Sequence, residues 1–166
     1  MSSHSSRASS PRHAERTAER TGGPCLVVGY DGSESARAAA SWAAASLPAG
    51  GRLVLVYASR GLHAPPSPLT SAQERERIGR AYLDELALES EDALLDVAAH
   101  AEVSDEDPVH ALIEAARRHG AGAIVVGCKH HSRLHKAIGT VTSELLMRSP
   151  VPITVVPSNT PEKREP

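Results

Sequence analysis

Residues 107–127 read DPVHALIEAARRHGAGAIVVG, and this stretch decides the fold. Asp107 is a natural N-cap, because its carboxylate can accept from the free amides of a first helical turn. Pro108 suits the first helical position, where a missing N–H costs nothing. Val109, Leu112, Ile113 and Ala116 recur at i, i+3, i+4 and i+7, the apolar face of a helix. Gly120 stops that helix. The run AIVVG at 123–127 then follows without a polar residue, the pattern of a strand covered on both faces, as in a parallel sheet.

The rest of the chain repeats the pattern. Residues 25–30 (CLVVGY), 53–58 (LVLVYA) and 151–156 (VPITVV) are short apolar runs, and 99–104 (AHAEVS) is a weaker fifth strand candidate. Helical segments lie between them. Residues 33–47 are Ala-rich and carry the single Trp42. Residues 71–97 open with Ser71 and Glu74, the capping-box spacing, and set Leu83, Leu86, Ala87, Leu94 and Val97 mostly at helical intervals. A fourth helix is predicted from Gly139 and Thr140 to Ser149 and Pro150. Strands alternating with helices imply right-handed βαβ crossovers and a doubly wound α/β sheet. The proline-rich residues 60–70 read as an exposed loop.

Composition narrows the function. The 166 residues suit one domain. Aromatics make up only 2%, with no Phe, so the core must rest on Val, Leu, Ile and Ala, and no stacking platform for single-stranded nucleic acid is available. A net charge of −2 argues against a nucleic-acid footprint. Cys25 and Cys128 lack C-x-x-C partners, which disfavours a zinc ribbon or disulfide framework. No apolar run is long enough to span a membrane, and the N-terminus has no apolar secretory core, so a cytoplasmic protein is expected. Residues 1–22 hold six Ser and four Arg against two Glu. They read as a disordered tail, as do residues 158–166. The tails carry +2 and 0 of the −2 total, leaving about −4 on the domain at 23–157.

Ligands of doubly wound sheets bind at the carboxyl ends of the strands. That singles out Gly29-Tyr30-Asp31-Gly32-Ser33 and the segment from Gly127 to Thr140, each leading into a helix whose N-terminus can hold a phosphate. Asp31 read alone is equally a turn or cap residue. Neither G-x-x-x-x-G-K-[ST] nor G-x-G-x-x-G is present, and GSESA at 32–36 lacks the closing glycine of a nucleophile elbow.

Taken together, YDGSESARAAASWAA (30–44), the 107–127 stretch and GTVTSELLMRSPVPITVVP (139–157) resemble the universal stress protein family over about residues 24–157. The resemblance implies a Rossmann-like sheet of five parallel strands in the order 3-2-1-4-5 with helices on both faces. It implies a homodimer through the last strand, between Val151 and Pro157. It also implies a stress-response regulator or sensor that binds ATP or another adenine nucleotide, with Mg2+ as the companion ion. Asp31, with Tyr30 beside it, would meet the adenosine; Gly127, Gly139, Thr140 and Val141 would hold ribose and phosphates.

The family's ATP motif, G-x2-G-x9-G-[S/T], is matched by Gly127 and by Gly139-Thr140. His130 stands at the middle glycine, and the gap after it is one residue short. A Cβ there opposes close backbone approach, while Lys, Arg and His in the segment suit phosphate. A zinc site from Cys128, His130, His131 and His135 is disfavoured, since adjacent histidines diverge and no carboxylate falls in the segment. His110 and His119 are expected at the surface. The competing readings are a homodimeric interaction module without nucleotide and a very slow ATPase. No general base or Mg2+ carboxylate cluster is recognisable beyond Asp31, so an enzyme is not expected.

Overall fold

The computed structural model describes residues 23–58, 72–89, 96–128 and 139–158. The expected tail at 1–22, the loop at 60–70 and His130, His131 and His135 lie outside the described residues. Along the chain run β1 (Cys25–Gly29), α1 (Glu34–Ser46), β2 (Arg52–Ala58), α2 (Ala72–Glu89), β3 (Ala98–Ser104), α3 (Pro108–His119), β4 (Ala123–Cys128), α4 (Thr140–Arg148) and β5 (Ile153–Pro157). All strand pairs are parallel, and the order is β3-β2-β1-β4-β5. The chain therefore turns back on itself beside β1, with β2 on one side and β4 on the other.

Local chemistry fixes the helix ends. Ser33 caps α1, its Oγ accepting from the Ala36 amide at 3.3 Å. Asp107 caps α3 and accepts from Val109 and His110 at 3.0 and 3.1 Å. Gly120 ends α3 in the left-handed region at φ 58, where glycine has no Cβ penalty. Arg117, Arg118 and His119 in the last turn complement the helix dipole.

Alternation within the strands builds two cores. Val27, Val54, Val56, Ile124 and Val126 face α3 and Leu145 of α4. Val28, Leu53, Leu55 and Val125 face the alanines of α1 and Leu86 of α2. Five small side chains, Ala36, Ala39, Ala40, Ala43 and Ala44, let α1 lie close on the sheet. The valine and leucine runs are buried on both faces, each large side chain contributing about 1.5–3 kcal/mol.

Four details differ from the sequence reading. Val97 lies outside α2 and packs beside β3 in the α1/α2 core, while Ala87 is exposed. His119 is not a simple surface residue. Its Nε2 lies 2.6 Å from Glu102 on β3, and its side chain is only 23% exposed. The last strand begins at Ile153, after an exposed Pro152. Ser158, assigned to the C-terminal tail, is buried and donates its N–H to the Cys128 carbonyl at 3.0 Å, so the β4–β5 ladder runs one residue further. Among the described residues, no helix is long and apolar enough to cross a membrane.

Candidate functional site

At the carboxyl ends of β1, β2 and β4 the sheet opens into a cleft of about 490 Å³. It stands where the strand order reverses, the usual place for a ligand in an open α/β sheet. Gly29, Tyr30 and Asp31 line it from β1, Tyr57 and Ala58 from β2, and Val126 and Gly127 from β4. The first turns of three helices complete it, through Ser33 and Ser35 of α1, Pro108 of α3, and Val141 and Thr142 of α4. Three helix N-termini thus bring their positive ends to one cavity.

Asp31 is exposed at the mouth. Its Oδ1 accepts from the Ser33 amide at 3.0 Å, which folds the loop into a tight turn. Gly32 makes that turn possible at φ 76, in the left-handed region. Tyr30 borders the cleft, but its ring is buried, packs edge-on against Tyr82 at 5.0 Å and donates its O–H to Glu85 at 3.1 Å. Tyr82 also meets Tyr57 edge-on at 5.4 Å. Burial pushes the Tyr82 phenol above its ordinary value, and the nearby Tyr57, Asp31 and Glu85 add to the shift.

Gly127 and Gly139 differ sharply. A Cβ on Gly127 would overlap the Ser35 carbonyl, so this glycine lets the first turn of α1 sit against the end of β4. The close approach it permits is to the chain's own backbone. Gly139 is the N-cap of α4 and offers no side-chain hydrogen bond to it, and a Cβ there would meet none of the described residues within 4 Å. Thr140 is exposed as the first residue of α4, Val141 is half-buried, and Thr142 is buried. The fold brings Asp31, Gly127 and Val141 to the cleft; Gly139 and Thr140 stand at the N-terminal end of the helix that borders it. Cys128 is half-exposed at the end of β4. Sequence reading missed Ser35, Tyr57 and Thr142. They belong to different elements and meet only through the strand order.

A second cavity, of about 530 Å³, runs between β3 and α3. It is lined by Glu102, Asp105, Glu106 and Glu114 with His110 and Arg118. Arg118 is already paired with Glu102 at 2.7 Å, and His110 lies 3.5 Å from Glu106. Carboxylates outnumber cations there, so a phosphate would be repelled. Although slightly smaller, the cleft at the strand reversal is the better site for an anion.

The family model for the universal stress proteins matches residues 26–157. The chain belongs to that family. Among solved structures, a universal stress protein from Burkholderia pseudomallei is 29% identical; the match covers 80% of this chain and 95% of that one, with a TM-score of 0.53. A family protein from Arabidopsis thaliana, solved with AMP bound, is 17% identical over 84% and 97% of the two chains, with a TM-score of 0.56. The universal stress protein of Archaeoglobus fulgidus in complex with dAMP is 19% identical over 80% and 97%, with a TM-score of 0.55. Among curated proteins, none matches the chain.

Proposed function

We propose that the cleft binds an adenine nucleotide and that the protein works as a cytoplasmic stress-response regulator or sensor, by binding rather than turnover. The observation that carries this reading is the N-terminus of α4 at the strand reversal, whose N-cap, Gly139, has no side chain to occupy its amides. Its first-turn amides suit phosphate oxygens, with the Thr140 hydroxyl as a further donor. The nucleoside would lie toward Asp31 and the end of β2. A volume near 490 Å³ is within the range of small-ligand clefts. The AMP and dAMP bound by the Arabidopsis and Archaeoglobus proteins support the choice of adenine, as does cAMP in a further family structure. ATP is the triphosphate the half-matched glycine motif suggests. Asp31 is the one carboxylate among the lining residues. Mg2+ would therefore arrive with the phosphates, held by them and by hydroxyl groups.

Calorimetric titration of the full chain with adenosine, AMP, ATP and cAMP, with and without Mg2+, tests the reading. Saturable binding that favours phosphate-bearing ligands is expected. Thr140→Ala should weaken AMP by about tenfold, since a hydrogen bond to a charged group contributes about 1.5–3 kcal/mol, and should leave adenosine unaffected. No heat with any nucleotide would overturn it.

The last strand supports a homodimer. Among the described residues β5 is an outer strand of the sheet, half-buried at Ile153, Val155 and Val156, with no charge between Val151 and Pro157. Such an edge is open to pairing with a second copy. Light scattering should give twice the chain mass of 17.5 kDa, falling to the monomer for Val155→Lys. A wild-type monomer at micromolar concentration would refute the pairing.

A further inference from the structure

Outside the cleft, one buried network reaches into it. Glu85, on α2, is not among the residues lining the cavity, yet one of its carboxylate oxygens holds the loop that forms one wall directly and the other holds it through Arg37 of α1. Oε2 accepts from the Tyr30 hydroxyl at 3.1 Å, and Oε1 pairs with the Arg37 guanidinium at 3.0 Å. The same Arg37 Nη1 also donates to the Gly32 carbonyl at 2.7 Å. Tyr82, one turn before Glu85, lies under Gly32 at ordinary van der Waals distance from a Cβ built there. Gly32 is in the left-handed region, and the next amide, that of Ser33, closes the turn on Asp31. Residues on both sides of Asp31 are therefore tied, directly or through Arg37, to one carboxylate on a helix none of whose described side chains lines the cleft.

We infer that Glu85 is a positioning residue, which holds the Tyr30–Ser33 turn through Arg37 and Tyr30 and so fixes how Asp31 is presented to the cleft. The network is about two-thirds buried at both charged partners, with side-chain exposures of 32% and 36%. A charge-assisted pair at that depth is less screened than one on the open surface. The turn is otherwise a short glycine-containing loop, the type of segment that opens locally at little cost. The role rests on the nucleotide reading of the cleft, and it makes α2 a second support of the site.

The test combines amide hydrogen exchange with titration of AMP on the full chain. Without ligand, Glu85→Ala should raise exchange at the hydrogen-bonded amides of Tyr30 and Ser33 by about fivefold or more, with little change at the buried amides of β4. Arg37→Ala should raise exchange at the same two amides, reaching the contact from α1 if the first variant folds poorly. Affinity for AMP should fall by about three- to tenfold in Glu85→Ala. Adding Glu85→Ala to Asp31→Asn should cost little beyond Asp31→Asn alone, because both act through one group. Unchanged exchange at Tyr30 and Ser33 overturns the positioning role. A full additive loss in the double variant overturns its action through Asp31. Failure of the wild type itself to bind AMP or any adenine nucleotide overturns the cleft reading and this role with it, and that result is seen in the wild type.

Discussion

The β1–α1 and β4–α4 junctions are built on one plan, a buried strand that turns into a helix N-terminus at the same cleft. Their chemistry is opposite. At the first, Ser33 caps the helix, Asp31 holds the Ser33 amide, Arg37 holds the Gly32 carbonyl, and the Ser35 carbonyl backs onto Gly127. At the second, Gly139 has no side chain with which to cap, meets none of the described residues where a side chain would stand, and leads into an exposed Thr140. The first junction spends its hydrogen bonds on the fold. The second leaves donors for a ligand.

Two alanine substitutions should separate the junctions most strongly. Gly127→Ala forces a Cβ against backbone that cannot swing away, and should destabilise the protein by about 3 kcal/mol, toward the upper end for overpacking. Gly139→Ala adds a methyl group to open space at φ −67, a conformation any residue adopts, and should change stability by less than about 1 kcal/mol. Thermal melts of the two variants read the contrast directly. Equal effects would show that the junctions are not built differently.

Capping gives a smaller and subtler contrast. Ser33→Ala should cost about 1 kcal/mol, through the lost bond to Ala36. Gly139→Ser should do the reverse, stabilising α4 by a few tenths of a kcal/mol while weakening AMP, because the new hydroxyl competes for the amides that phosphate needs. Denaturant midpoints and calorimetry together check the trade. A variant that gains stability and binds AMP as well as wild type would mean phosphate sits elsewhere.

The smallest effect concerns the support beneath the first junction. The Tyr82 phenol is raised above its ordinary value, chiefly by burial. The folded state therefore holds that proton more tightly than the unfolded state does. Stability from this group is fully present below the ordinary tyrosine value and falls as pH rises through the raised one. Tyr82→Phe should flatten the alkaline decline in melting temperature, and in wild type the Tyr82 phenol should ionise late in an absorbance titration.

Much of this was legible in sequence. Ser33, Asp107, Pro108, Gly120 and Gly139 mark helix ends through local hydrogen bonding, which a few neighbouring residues determine. The runs of β1, β2 and β4 were legible because burial on both faces leaves no room for polar alternation, whereas β3, with His100 and Glu102, gave a weaker signal. What escaped depends on partners far along the chain. Glu85 lies 55 residues from Tyr30 and 48 from Arg37, and no periodicity announces such a pairing. Gly127 matched a ligand motif, yet its neighbour is the carbonyl of Ser35, 92 residues earlier in the chain. Tyr30 ends an apolar run and lines the cleft, but its ring turns inward onto Tyr82, 52 residues on, a contact no local pattern announces. Val97 extended the helical spacing of α2 by coincidence, because leucine and valine serve strand and helix cores alike.

The central claim is that the open junction, not the closed one and not the acidic cavity along β3, receives the phosphate. An amide-resolved NMR titration of the wild-type chain with AMP tests it most directly. The largest shifts are expected at Thr140, Val141 and Thr142, smaller ones at Asp31 and Ser33, and none at Glu106, His110 or Glu114. Largest shifts at Glu106 and His110, or an undisturbed first turn of α4 at saturating AMP, would contradict it.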